Sequence, residues 1–307
     1  MLSYSMNKFF TILFLAIFFV AGCNKAEKPA IKSEKEGKPL VIGLLPEQNI
    51  FHQLERYDPL AKYIANKLGR KIELKVLPRY GNIINNFVSE NMDGAFFGSF
   101  TYALAHSKLG LEVIARPENI EGISTYHGLL FARKDSGIRN IKDMAGKRLA
   151  FVDKATTAGY LLPLAYFKKH GIDNYNAYLK ETYFAGTHED VINDVLDRKT
   201  DIGAAKNTVF YRLAKKDKRI LNDLIIIERS PDVPENGLAV RKDIDISVKT
   251  KIKDILLDMH NDPAGRKVLK DFGALKFIPT SNDDYKPVFD YAKEIGLDLA
   301  TYDYMNE

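Results

Sequence analysis

The chain has 307 residues, 46% of them hydrophobic and 28% charged, with one Cys, 12 Pro and no Trp. That length suits about two domains, and the composition excludes disordered, collagen-like and disulfide-framework proteins. The net charge of +5 is spread along the chain, whereas nucleic-acid binding needs basic residues clustered on one face, so no nucleic-acid partner is expected.

Residues 1–22 read as an export signal, with Lys8 the only charge before an unbroken apolar run over 9–22 that ends in small residues. The run is shorter than the roughly 20 residues a membrane-spanning helix needs. Val20-Ala21-Gly22-Cys23 resembles the bacterial lipobox, with Val in place of the commoner Leu. The resemblance implies that Cys23 is diacylated on sulfur and becomes the mature N-terminus, anchored in the membrane of the cell envelope by two or more acyl chains. Cys23 is the only Cys, so no disulfide forms within the chain. Asn24, in place of Asp, is compatible with outer-membrane sorting. Residues 24–38 carry five Lys and three Glu with little apolar content, too little to fold, so 23–38 reads as a lipidated Cys and flexible tether.

From Pro39 onward strand and helix alternate. Residues 39–46 form a strand, Asp58 caps a helix with Pro59 at its first position, and Gly69 ends it. Residues 71–78 have the period of a strand and 80–92 that of a helix; 94–99 is a strand, 101–110 a helix and 111–117 a strand. A second series runs from strand 148–152 through a helix over 161–171, strand 181–186, a helix over 188–199, strand 201–206, a helix over 207–216 and strand 224–230. The repeated βα units predict α/β layers with largely parallel sheets. Segments 127–135 and 236–243 are extended, apolar and end in Arg-Lys-Asp, and they read as two strands crossing between lobes. The helical residues 248–262 and 283–296 then finish the first lobe. The expectation is a two-lobed α/β clamshell with two crossover strands, lobe 1 from 39–130 plus 240–307 and lobe 2 from 131–239, with the ligand in the cleft.

Two helix starts offer anion chemistry. Lys154-Ala155-Thr156-Thr157-Ala158-Gly159-Tyr160 follows a strand and opens a helix, where hydroxyls and free backbone amides meet the positive end of the helix dipole. Gly159 permits close approach there. Gly186-Thr187-His188-Glu189 opens another helix, and a His in its first turn can donate to an anion. Tyr80 and Tyr126 place phenols at strand ends, where open α/β sheets bind ligands.

The segments 77–84 (LPRYGNII), 93–102 (DGAFFGSFTY), 125–136 (TYHGLLFARKDS), 156–167 (TTAGYLLPLAYF), 185–196 (AGTHEDVINDVL) and 230–243 (SPDVPENGLAVRKD) resemble the periplasmic phosphate/phosphite/phosphonate-binding protein family. These are the solute receptors of phosphonate-type ABC importers, and the likeness covers about residues 39–295. It implies the two-lobed periplasmic-binding-protein fold and an ABC permease as partner. It places the phosphonate-group donors on Tyr80, Tyr126, Thr156, Thr157 and His188. Ala158 stands where the family's turn has a hydroxyl residue, leaving its amide to serve. The family's amine-binding carboxylates fall on Val209 and Asn236, so both acids are missing. An ammonium buried without a counter-charge is costly, which disfavours 2-aminoethylphosphonate. Lys206, at a strand end, is expected at the cleft mouth, favouring a small dianion. The expected ligand is phosphate, phosphite or an amine-free phosphonate, captured by hinge closure. No cofactor or metal is expected, and the sequence lacks the hydrolase, zinc-protease and P-loop motifs of an enzyme. The same clamshell could instead serve as the input domain of a membrane sensor such as a histidine kinase.

Overall fold

In β1 (Leu40–Leu44), Leu40, Ile42 and Leu44 enter one apolar cluster and Val41 packs against another, the two-residue period of a strand with both faces covered. The computed structural model describes residues 37–77, Tyr80 and 83–306; the export signal, Cys23 and nearly all of the tether lie outside the described residues. In α1 (Ile50–Leu68) the Asn49 side chain accepts from the Phe51 amide as the cap. The helix therefore begins well before the expected Asp58–Pro59 start, and Pro59 lies inside it. Gln53, Tyr57, Leu60 and Ile64 are buried on one face across the proline. Burying that stripe outweighs the backbone bond that Pro59 removes. Gly69, at φ 72°, closes the helix in the left-handed conformation that glycine accepts.

The first series continues with β2 (Ile72–Val76), α2 (Ile83–Ser89), β3 (Gly94–Phe97), α3 (Ser99–Leu109) and β4 (Glu112–Asn119). The short β5 (Thr125–Tyr126) leads into β6 (Gly128–Arg133), β7 (Arg148–Phe151), a π-helical turn over Thr157–Leu161 and α4 (Leu162–Lys169). Then come α5 (Tyr175–Tyr178), β8 (Glu181–Phe184), α6 (His188–Leu196), β9 (Ile202–Lys206), α7 (Asn207–Lys216), α8 (Arg219–Asp223) and β10 (Leu224–Arg229). The chain returns through β11 (Val233–Pro234) and β12 (Gly237–Val240), and ends with α9 (Ile246–Asp258), α10 (Pro263–Phe272), β13 (Ala274–Pro279) and α11 (Lys286–Glu294).

Two sheets result, ordered β13-β4-β12-β3-β1-β2 and β10-β6-β9-β7-β8. The βαβ strands are parallel to one another: β1 with β2 and β3, β7 with β8 and β9. β12 runs antiparallel to β3 and β4, and β6 antiparallel to β9 and β10. The sheets are thus mixed, where largely parallel sheets were expected. β6 and β12 enter directly from the hinge without a crossover helix, and so run against their neighbours. The crossing itself is the antiparallel pair β5 and β11, with Val233 opposite Tyr126 and Pro234 opposite Thr125, in neither large sheet. All of β6 lies in the second sheet and all of β12 in the first, so sheet membership changes a few residues before the expected 130/131 and 239/240 boundaries.

The residues after α11 touch both lobes rather than only finishing the first. Tyr302 donates to the Lys154 carbonyl, and Asn306 bonds the Lys154 amide and the Asp153 carboxylate. On the other side Lys108 donates to the Ala300 carbonyl and Tyr304 to Asn85. No helix among the described residues is long and apolar enough to cross a membrane.

Candidate ligand-binding site

The carboxyl ends of β1, β3, β7, β8 and β9 converge between the sheets, the position at which open α/β sheets bind ligands. Two helix starts meet there. The Phe100 amide, in the first turn of α3, donates to Thr157 Oγ1 at 2.8 Å. Thr101 Oγ1 donates to the Ala155 carbonyl at 2.8 Å, and the Ser99 amide to Tyr126 Oη at 3.4 Å. First-lobe α3 and the second-lobe turn at Thr156–Leu161 thereby bring first-turn amides and positive dipole ends to one place, which suits an anion. A π-helical turn at that point is a common mark of a functional site.

The structure gives the neighbouring residues different tasks. The Thr156 hydroxyl donates to the Asp153 carbonyl at 2.7 Å and so builds the turn. A Cβ at Gly159 would come within 2.4 Å of Val152, so this glycine serves packing beneath the turn. Ala158 is buried against Gly128. Seen from the sequence, Gly98, Ser99, Phe100 and Thr101 were missed, because strand 94–99 was extended through the cap. The available signal was Gly98-Ser99-Phe100-Thr101, a strand-to-helix junction of the same kind as the 153–157 loop.

His188, the first residue of α6, is 4% exposed. The Lys206 amide donates to its Nδ1 at 3.2 Å, so Nδ1 accepts and the proton sits on Nε2. Burial lowers its pKa to about 3, with Lys206 and Arg212 acting in the same direction against Glu47. His188 is therefore a neutral Nε2 donor at physiological pH. The Tyr80 ring stands edge-on to it, centroids 6.1 Å apart, and burial holds the phenols of Tyr80 and Tyr126 above their ordinary range, hence protonated.

Lys206 corrects one expectation and replaces another. Its side chain is only 3% exposed and lies inside the cleft rather than at its mouth. Nζ donates to Glu47 Oε1 at 3.0 Å, to Asn236 Oδ1 at 2.9 Å and to Glu235 Oε1, and sits 4.2 Å from the centroid of the Tyr126 ring. Asn236 Nδ2 in turn donates to Glu47 Oε1 at 2.9 Å. Burial opposes the Lys206 charge, but Glu235 and Glu47 raise its pKa above the ordinary range. Burial would likewise raise Glu47, yet Lys206, Arg212 and Arg56 hold it well below the carboxylate range. Three cations face two carboxylates here, which leaves the neighbourhood net positive.

Acids are therefore present in the cleft, at Glu47 and Glu235, where the sequence reading found none. Val209, on α7, is fully buried in the cluster that also holds Tyr80 and Tyr126. Arg212 Nε donates to Gln48 Oε1 at 3.1 Å, and its Nη2 is buried without a hydrogen-bond partner among the described residues. Glu47, Gln48, Arg56 and Arg212 were not read from the sequence; the usable signal was the position of Glu47 and Gln48 just past the end of β1.

Two α/β lobes joined by a double crossing, with a cleft at the strand ends, make the two-lobed fold of the periplasmic binding proteins. The family model described as "ABC transporter, phosphonate, periplasmic substrate-binding protein" matches residues 42–285, and the chain belongs to that family. It is 26% identical over 261 residues to the phosphonates-binding periplasmic protein of Escherichia coli K12, covering 83% of this chain and 76% of that one. It is 29% identical over 216 residues to the phosphate-import protein PhnD of Mycolicibacterium smegmatis, 66% of each chain. A binding protein component of an ABC phosphonate transporter from Pseudomonas aeruginosa shares the fold with a TM-score of 0.78 at 23% identity, covering 84% of this chain and 87% of that one.

Proposed function

We propose that this chain is the receptor of an ABC importer for a small phosphorus oxyanion without an amine: phosphate, phosphite or a short alkyl phosphonate. The anion docks beside the first turn of α3, on the Thr157 hydroxyl, the amides of Thr157 and Ala158 and His188, with Tyr80 and Tyr126 completing its donors. Closure of the two lobes excludes water and couples binding to a form that the permease recognises. The observation that carries the ligand class is Lys206, whose ammonium already satisfies Glu47, Glu235 and Asn236; a ligand amine would meet no free carboxylate there. The phosphonate-binding and phosphate-import relatives support a phosphorus oxyanion, and they favour import over a sensory role.

Calorimetric titration of the anion-stripped protein with phosphate, phosphite, methylphosphonate and 2-aminoethylphosphonate tests this reading. At least one amine-free ligand is expected to bind more tightly than 2-aminoethylphosphonate; the reverse preference overturns it. We further propose that Cys23 carries a lipid anchor. Cys23→Ser is expected to abolish incorporation of radiolabelled palmitate into the protein, and equal labelling of variant and wild type, or no labelling of the wild type, would refute the anchor.

A further inference from the structure

Lys206 Nζ has the surroundings of a bound alkylammonium ligand: two carboxylates, an amide oxygen and an aromatic face, with Lys206 and Glu47 buried and Glu235 partly so. Such a constellation is how proteins recognise primary ammonium groups. The chain supplies its own ammonium on the Lys206 tether, which begins at the carboxyl end of β9, in the second lobe, and ends against Glu47 of the first.

The position of this cage matters as much as its content. Tyr126 joins it to the oxyanion end: its hydroxyl accepts from the Ser99 amide, and its ring face lies under the Lys206 ammonium. The two ends are thus about one phenol apart, the reach of a two- or three-carbon chain. We propose that Lys206 is the specificity-determining residue of the site, an internal ammonium that fills a subsite for an amine and so restricts the cleft to amine-free oxyanions. When the Lys206 side chain is cut back, the cage accepts an ω-aminoalkyl phosphonate, whose phosphonate and amine then occupy the two ends together. This inference rests on the oxyanion assignment of the preceding section.

The test compares the wild-type protein with Lys206→Ala, which frees both the space and the carboxylates, and Lys206→Met, which removes the charge but keeps the space filled. Titrations use methylphosphonate and 2-aminoethylphosphonate. Lys206→Ala is expected to shift the ratio of affinities toward the amine ligand by about ten- to a hundredfold, the worth of a charge-assisted contact, and Lys206→Met is expected to show no such gain. Two unpaired carboxylates burden Lys206→Ala, so the double variant Lys206→Ala/Glu47→Gln, with one carboxylate left, is measured beside it; its shift has the same sign and is smaller. Folded Lys206→Ala or double variant with the wild-type ratio overturns the inference, as does an equal gain in Lys206→Met. A wild-type protein that already prefers 2-aminoethylphosphonate overturns the amine-free reading instead.

Discussion

Thr157→Val weakens oxyanion binding by about ten- to a hundredfold, the loss of a hydrogen bond to a charged ligand. The substitution keeps the shape of the side chain and removes the hydroxyl that accepts from the Phe100 amide. It therefore affects the turn and the α3 start at once, and leaves a buried amide without its partner. Thr156→Val acts differently. The Thr156 hydroxyl is committed to the Asp153 carbonyl, so its removal lowers stability by about 1 kcal/mol and affinity much less than Thr157→Val does. Calorimetric titration with phosphate and methylphosphonate, alongside urea unfolding, separates the two effects. Equal affinity in Thr157→Val and the wild type would show that the anion lies elsewhere.

Lys206→Met has the largest expected effect on stability, a loss of about 3–5 kcal/mol at neutral pH, because removing one partner strands the other charges in the interior. The pH dependence gives the sign. In the wild type the Glu47 pKa is depressed, so its stabilisation is present above the unfolded carboxylate pKa and is lost as pH falls. The Lys206 pKa is raised, so its stabilisation is present below the unfolded lysine pKa and is lost in alkali. Between those limits the pair contributes a constant amount. Without Lys206, Glu47 faces Glu235 under the same burial and its folded pKa rises. The variant then takes up a proton on folding and recovers stability as pH falls from 8 toward 5. His188, with its depressed pKa, costs both proteins stability below its unfolded pKa of about 6.5; Lys206 is one of the charges that depress it, so this cost is no larger in the variant. Urea midpoints of both proteins across this range check the claim, and a difference independent of pH would contradict it.

The two lobes and the helix starts at Thr157 and His188 were legible in the sequence because each depends on local order: a strand, a short polar loop and a helix start. The start of α1 was not. Pro59 is a strong local signal for a first helical position, but Tyr57 and Leu60 are held on either side of it by the core, and that packing is not local. The acidic cage was hidden for a related reason. Glu47 and Glu235 stand singly in loops far apart in the chain, and only the meeting of the lobes places both on Lys206. Lys206 itself reads as an ordinary strand-end lysine until the crossing strands set Tyr126 beneath it. Val209, three positions into α7, is fully buried in the cluster that also holds Tyr80 and Tyr126, while Lys206 at the end of β9 meets the two carboxylates.

A crystal structure of the protein with methylphosphonate tests the site most directly. The phosphonate oxygens are expected between the first turn of α3 and the 156–158 turn, within hydrogen-bond distance of Thr157 and His188 Nε2, while Lys206 Nζ stays on Glu47, Glu235 and Asn236. A phosphonate bound outside that junction, or a Lys206 ammonium withdrawn from its carboxylates to grip the anion, would contradict both the oxyanion site and the role of Lys206 as the amine's substitute.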